Sequence, residues 1–388
     1  MTTLYLLEPS DPGAAWAPFA GVRPVAELRA GRWRIRERWE RALGLRAAGI
    51  LGSHVDGFSE GDEPPCTEPA QVRGPAVVAA SWFAPTAAAT FAFPPSVRRL
   101  EHDGHAVAWI IPAGERFRGP TEEGGAAGID GLLLRGTFAL LDALEAFLGA
   151  DCRDAPESPV PAYAIVLGDA RLVHAAPDAA IEPGVVFDAR HGAVVIEAGA
   201  EVRHGTRLEG PVWVGPGARI VGGDVRASAI GPECRVRGEV AASVFLGYAN
   251  KAHDGYVGHS VVGRWVNLGA GTTTSNLKNT YGPVRLEVDG ERIETGRLNL
   301  GTLFGDHAKT AIGTLLPTGT VVGAGANVFG ASAVPKYVRP FAWGLAGERM
   351  SGEGFLRVAE RVMGRRGIAC EGARRDSLLR TYARVAAP

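Results

Sequence analysis

Five aliphatic residues, Ile196, Val202, Leu208, Val214 and Ile220, follow one another at intervals of six without a slip. They stand in the segments IEAGAE, VRHGTR, LEGPVW, VGPGAR and IVGGDV. One inward apolar residue in every six marks a hexapeptide β-helix, in which each short strand gives one side chain to the core and small residues turn the corner. The pattern resumes at Ile230 and Val236, at Val262 and Leu268, at Ile312 with Thr318, and at Val322 with Val328. Repeats over 165–334 therefore predict one solenoid, within a domain expected at 161–345. A β-sandwich would instead alternate with period two and break at irregular loops.

Such a coil needs many tight corners, and glycine, at 53 of 388 residues, is twice as frequent as the ~7% usual in globular chains. Hydrophobic residues make up 46% and charged residues 21%, with 41 basic against 42 acidic side chains. That balance argues against disorder and against an electrostatic grip on nucleic acid. Cys66, Cys152, Cys234 and Cys370 are widely spaced with no CxxC pair, which fits a reducing cytoplasm better than a disulfide framework or a zinc ribbon. No apolar run approaches the ~18 residues of a membrane span. Met1-Thr2-Thr3 leads directly into the strand-like residues 4–7 without a signal-type segment, so a cytoplasmic protein with no membrane partner is expected.

Outside the repeats the pattern changes. Residues 284–288 and 291–294 alternate around Asp289-Gly290 and predict a hairpin with a type I′ turn projecting from the coil. Phe355, Val358, Ala359, Val362 and Met363 have helical spacing over 354–366, and a second helix is expected over 373–385. These C-terminal helices (346–388) should cap the open solenoid end. In residues 1–160, strands at 4–7 and 106–111 and helices at 31–43 and 132–147 predict an α/β domain.

Lysine and asparagine are confined to one window. Lys251, Lys278, Lys309 and Lys336 are the only lysines, and Asn250, Asn267, Asn276, Asn279, Asn299 and Asn327 the only asparagines. Arginine cannot replace a compact ammonium, and asparagine offers a neutral donor and acceptor on a short stem. Asparagine also serves turns, yet the turn-rich residues 165–249 contain none. A functional site at 250–336 is therefore expected, with Lys251, Asn267, Asn276, Lys278 and Lys309 converging on one groove beside His253.

The window opens with residues 250–258, NKAHDGYVG, and continues with 266–278, VNLGAGTTTSNLK. It resembles the acetyltransferase domains of the bifunctional sugar-1-phosphate enzymes, the GlmU-like N-acetylglucosamine-1-phosphate uridyltransferase/glucosamine-1-phosphate acetyltransferases. Their pattern is a Lys, H-x-x-Y-x-G, N-x-G-A-G-T and an Asn. The closer likeness is to a divergent sugar nucleotidyltransferase branch, which shares NLK, residues 305–309 (GDHAK), Pro335-Lys336, residues 341–344 (FAWG), a helix like residues 359–366 and the opening 23–29 (RPVAELR).

The resemblance implies a degenerate nucleotidyltransferase-like α/β domain followed by a left-handed β-helix. It also implies transfer of acetyl from acetyl-CoA to an amino-sugar 1-phosphate, coupled to nucleotidyl transfer of the UDP-N-acetylglucosamine type. Removing the amine proton suits an imidazole, and His253 matches the family's catalytic histidine. Tyr256, Asn267 and Asn276 match substrate-binding positions, Lys251, Lys278 and Lys309 are candidates for the sugar phosphate, and Ala270, Thr314 and Gly330 are the acetyl-CoA candidates. Three coils side by side, a homotrimer with sites at the seams, are implied as well.

There are departures: Val221 and Ala241-Ala242 stand where upstream Arg and Lys would hold phosphate, one residue is missing between Lys251 and His253, and Leu277 replaces a Tyr. His253 and His259 are six apart with no third histidine nearby, so a three-histidine zinc site is not expected. In the first domain no G-x-G-T-R loop exists. Arg23, Arg29 and Arg32 are placed to hold nucleotide phosphate, unless Arg32, Arg34, Arg36, Arg38 and Arg41 form the solvated face of a helix. Mg²⁺ would be needed only if that domain is active, with Asp56, Asp103 and Glu115 as carboxylate candidates. The alternative reading is a non-catalytic sugar-nucleotide sensor or assembly scaffold.

Overall fold

The computed structural model describes residues 2–86, 94, 96–155, 158, 160–330 and 333–386. Residues 165–338 wind into stacked coils that build three parallel sheets. The first face has six strands, from Ile165–Leu167 to Tyr256–Gly258; the second has nine, from Val173–Ala175 to Tyr337–Val338; the third has eight, from Ala180–Ile181 to Asn327–Val328. This is the stacking expected of a left-handed parallel β-helix. Ile196, Val202, Leu208, Val214 and Ile220 all point inward and are buried, each removing about 1.5–3 kcal/mol of apolar surface cost from water.

Val322 and Val328 are inward as the sequence predicts, but the repeat before them is out of phase with the sequence reading. Ile312 is 80% exposed at a corner, and Thr310, Leu316, Val322 and Val328 are the inward residues. A threonine at an inward position hid the register; the Thr310 hydroxyl is satisfied by Thr272 Oγ1 at 2.8 Å.

The second face is apolar on both sides. Its outward residues Val195, Trp213, Ala229, Val244, Val261, Leu303 and Val321 are buried in one cluster with the first domain. Helix α2 (Ala139–Arg153) supplies Leu140, Leu144 and Leu148 to that cluster. One side of the prism is thus covered by the chain's own N-terminal domain.

That domain has a six-stranded mixed sheet, with Thr3–Leu7 between Ala47–Leu51 and Ala76–Ala80, followed by His105–Ile111, Val97–His102 and Gly125–Gly128. Helix α1 (Ile35–Leu43) begins four residues later than the sequence suggested. Arg29–Ala30 and Trp33–Arg34 pair in a hairpin that turns on Gly31 at φ 68°. Similarly, Gly131–Leu133 pairs with Phe83–Pro85, which delays α2 to residue 139. Most of the arginines of α1 and its approach do not form a solvated face. Arg32, Arg36 and Arg38 are buried because Glu197, Glu27 and Asp151 pair with them.

Helices α3 (Gly352–Gly364) and α4 (Gly372–Val385) follow the coil and pack on Phe341 of its last turn. Helix α3 runs along the edge between the second and third faces, where Tyr248, Trp265, His307 and Phe341 project from left-handed corners (φ 55–63°). Met363 packs on Trp265, and Phe355 meets His307 and Phe341 edge-on. Helix α4 reaches the first domain, where Ser377 Oγ accepts from the Ser59 amide at 2.9 Å. The hairpin Arg285–Val288 with Glu291–Glu294 turns on Asp289 and Gly290, both at positive φ, as expected. It lies back on the coil instead of projecting, with Leu286 and Val288 buried.

Candidate functional site

Two histidines bound one strand of the first face. His253 sits at the edge between the third and first faces, and His259 at the edge between the first and second. Tyr256 lies between them on the strand Tyr256–Gly258.

The His253 edge is a column. His253 follows strand Asn250–Lys251, Ala270 follows Asn267–Leu268, Thr314 follows Lys309–Thr310 and Gly330 follows Asn327–Val328. Neighbouring turns are tied together: the Gly271 amide donates to Asp254 O at 2.9 Å, and the Gly313 amide to Ala270 O at 2.7 Å. His253 is exposed. Beside this column Ile312, Leu315 and Phe329 stand 80%, 68% and 39% exposed.

The opposite edge is built on a serine ladder. The Ser243 amide donates to Ser228 Oγ at 3.1 Å, the Ser260 amide to Ser243 Oγ at 3.1 Å, and the Thr302 amide to Ser260 Oγ at 3.0 Å. The residue before each serine is left-handed: Ala227, Ala242 and His259, at φ 45°, 44° and 48°. His259 is therefore an imidazole placed where lower coils carry a methyl. Asn276, from the next coil, brings its amide nitrogen to 2.7 Å from His259 Nδ1 and 3.0 Å from the Tyr256 hydroxyl. Burial first, and then Arg297, hold His259 below its ordinary protonation range. Burial also raises the Tyr256 phenol. The cluster is thus a neutral phenol, amide and imidazole facing one surface. Sequence reasoning weighed His259 only as a zinc ligand; the recurring pairs Ala227-Ser228, Ala242-Ser243 and His259-Ser260 were the available signal.

The five window residues expected to converge beside His253 are divided within the single chain. Lys251 occupies an inward position, 2% exposed, and its ammonium donates to Arg237 O at 2.6 Å and His253 O at 3.0 Å. Burial pushes it down to about 8. It shapes the His253 corner and presents no open ammonium to a phosphate. Asn267 and Lys309 lie on the third face, in a groove of about 300 Å³ with Asn250, Arg235, Arg365 and Arg366. There Asn250 donates to Asn267 Oδ1 at 2.8 Å, and burial lowers Lys309 to about 8. Asn276 belongs to the His259 edge, and Lys278 is half-buried with its ammonium donating to Pro283 O at 2.9 Å.

Of the first-domain candidates, Arg23 is 2% exposed and saturated by Glu60 at 2.7 Å and Asp306 at 2.8 Å. It joins the two domains instead of offering a fork to phosphate. Arg29 is buried, and among the described residues no carboxylate lies within ion-pair distance of it. The carboxylates considered for Mg²⁺ do not come together. Asp56 meets Arg380, Asp103 lies beside His102, and Glu115 beside Arg98. No group of three or more metal-ligating side chains forms among the described residues, so these residues do not fit such an ion. No described helix is long and apolar enough to cross a membrane.

Residues 8–108 match the family model described as sugar nucleotidyl transferase. Over 155 residues the chain is 37% identical to a protein of Sulfurisphaera tokodaii named bifunctional sugar-1-phosphate nucleotidylyltransferase/acetyltransferase, covering 38% of each chain. Over 86 residues it is 36% identical to bifunctional protein GlmU of Methanocaldococcus jannaschii, covering 22% of this chain and 21% of that one. A Jannaschia protein of the same name is 33% identical over 172 residues, covering 42% and 33% respectively. The chain thus spans less than half the length of these relatives.

Proposed function

Because these matches support a GlmU-like family for the chain, we propose that it is a transferase of amino-sugar nucleotide biosynthesis. It acetylates an amino-sugar 1-phosphate of the glucosamine-1-phosphate type with acetyl-CoA. The observation that carries this reading is the shared surface of Tyr256, Asn276 and His259, one strand away from the exposed His253. Three of the four occupy positions where the resemblance calls for acetyl-transfer residues.

In this reading His253 takes the proton of the sugar amine as its nitrogen attacks the thioester carbonyl. The C–N bond forms, the C–S bond breaks, and the proton passes to the leaving thiolate. Tyr256 and Asn276 orient the sugar, and His259 fixes the Asn276 amide. Ala270, Thr314 and Gly330 mark the path of acetyl-CoA up the edge, with Ile312 and Leu315 as apolar surface beside it. Three chains would cover that surface through their first and third faces, since the second is already occupied in cis. A cytoplasmic setting suits the four free cysteines. Nucleotidyl transfer, named for the Sulfurisphaera relative, is assigned in this proposal to the domain matched over 8–108.

One observation favours the non-catalytic reading: Lys251 and Arg23, two of the expected phosphate contacts, are both consumed by internal partners. Acetyl-CoA turnover with glucosamine-1-phosphate separates the two. Sugar-dependent thiol release supports the enzyme, and its absence supports the scaffold.

A further inference from the structure

The segment that closes the His259 edge is anchored in the other domain. Residues 297–301 leave the base of the hairpin and return to the coil, where the Leu300 amide donates to Asn276 O at 2.9 Å and the Gly301 amide to His259 O at 2.8 Å. Asn299 pairs with Leu277 in an antiparallel bridge. One short strap therefore holds the backbones of both Asn276 and His259, whose side chains meet at 2.7 Å. Arg297 heads this strap. Its carbonyl accepts from the Val284 amide at 2.7 Å and its Nε donates to Asn299 O at 3.3 Å, which ties the residue into its own loop. Its two terminal nitrogens reach out of the loop: one meets Asp142 and the other Glu145, both on α2 of the first domain. Carboxylates three residues apart lie on one side of a helix, and a planar guanidinium bridges two of them where an ammonium is a single point charge. The Arg297 side chain is 11% exposed, so this bridge is sheltered at the arginine, unlike the open surface pairs that contribute little. Helix α2 is itself fixed on the second face by Leu140, Leu144 and Leu148.

Charge links the same bridge to the imidazole. His259 is faced by Arg297 from the strap, by Glu145 from α2, by Arg226 from a lower coil, and by Tyr256 and Asn276 from its own cluster. Burial and then Arg297 favour the neutral ring, while Glu145 opposes them. The neutral form matters here, because Nδ1 can accept from the Asn276 amide only while it carries no proton. Arg297 thus acts on the cluster twice, through the backbone it carries to Asn276 and His259 and through the charge it holds beside the ring.

We propose that Arg297 is a positioning residue for the Tyr256, Asn276 and His259 cluster, and that through it α2 of the first domain holds the sugar-orienting side of the acetyl-transfer site. The kinetic consequence rests on the acetyl-transfer reading given above. The consequence for the His259 ring does not.

The test follows the His259 ring of the full chain by NMR across pH, beside kcat and KM for glucosamine-1-phosphate. Arg297→Met removes the cation and keeps an apolar stem, so His259 should take up its proton at higher pH than in the parent, and kcat/KM should fall by roughly tenfold. Glu145→Gln, on the exposed side of the bridge, should also lower kcat/KM but move the ring to lower pH, because it removes a carboxylate and leaves the cation. Arg297→Lys should keep the ring close to its parental titration and recover only part of kcat/KM, since an ammonium cannot bridge both acids. A general loosening of the fold would shift the ring in one direction in every variant. The proposal is overturned if the His259 titration is unchanged in Arg297→Met, if Arg297→Met and Glu145→Gln shift it in the same direction, or if both turn over as the parent does. A parent without acetyl transfer, but with the two opposite shifts, would overturn the function proposed above and still support the positioning role.

Discussion

The amide nitrogen of Asn276 lies 2.7 Å from Nδ1 of His259, and the same nitrogen reaches the Tyr256 hydroxyl at 3.0 Å. Asn276 is thus a hub that fixes two rings of the preceding coil. Replacing it by alanine should lower kcat/KM for acetyl transfer by roughly ten- to a hundredfold, the equivalent of one or two lost polar contacts. His259→Asn, which tolerates the left-handed backbone, should lower it less. Full activity in Asn276→Ala would remove the hub from the mechanism.

His253→Ala is expected to abolish acetyl transfer while leaving the melting temperature and the assembly in place, because an exposed corner side chain contributes little to packing. Activity within about tenfold of the parent would move the base to His259 or to a water. His307 is not a substitute, being 3% exposed and enclosed by Trp265 and Phe355.

Arg23 is the domain weld. Arg23→Met leaves Glu60 and Asp306 buried together without their shared cation. The expected loss of stability is about 3–5 kcal/mol by denaturant unfolding. A change below about 1 kcal/mol would place the weld elsewhere, at the level of an exposed pair.

His307 sets an acid limit. Burial first, and then Lys309, push its protonation down to about 3. Below its ordinary 6.5 the unfolded chain binds a proton that the folded chain refuses until about 3, so stability falls as pH drops through that window. Phe341 occupies the same column at φ 57°, beside His307 at φ 62°, so His307→Phe preserves the stack. The variant should lose less stability than the parent between pH 6.5 and 3, measured by urea unfolding at each pH. Parallel pH curves would contradict this.

The coil was legible because each strand spends one inward position on an aliphatic residue, as Val202 and Ile220 do. Other placements were hidden for physical reasons. Lys251 fills an inward position normally held by an aliphatic residue, and nothing local signals that two backbone carbonyls await its ammonium. Val195, Val244 and Val261 are outward yet buried, and a sequence cannot separate a face covered by another domain from a core. The arginines of α1 resembled a solvated stripe because Asp151, which pairs with Arg38, lies 113 residues away. The motif residues Tyr256 and Asn276 did come together, whereas Asn267 and Lys309 went to the third face.

Exposed Ile312 and Leu315 beside the His253 column need cover, and three chains meeting through the two free faces would supply it. Light scattering should give three times the monomer mass of 40.6 kDa. Ile312→Asp together with Leu315→Asp should reduce that mass and acetyl transfer together. A monomeric parent would contradict this assembly.

The most direct measurement is thiol release from acetyl-CoA by the purified full chain, with and without glucosamine-1-phosphate. The account predicts release that depends on the sugar phosphate, saturates with it, yields the N-acetylated sugar phosphate, and is lost in His253→Ala. Release no faster with the sugar phosphate than without it, from folded protein, would contradict the account and leave the scaffold reading in its place.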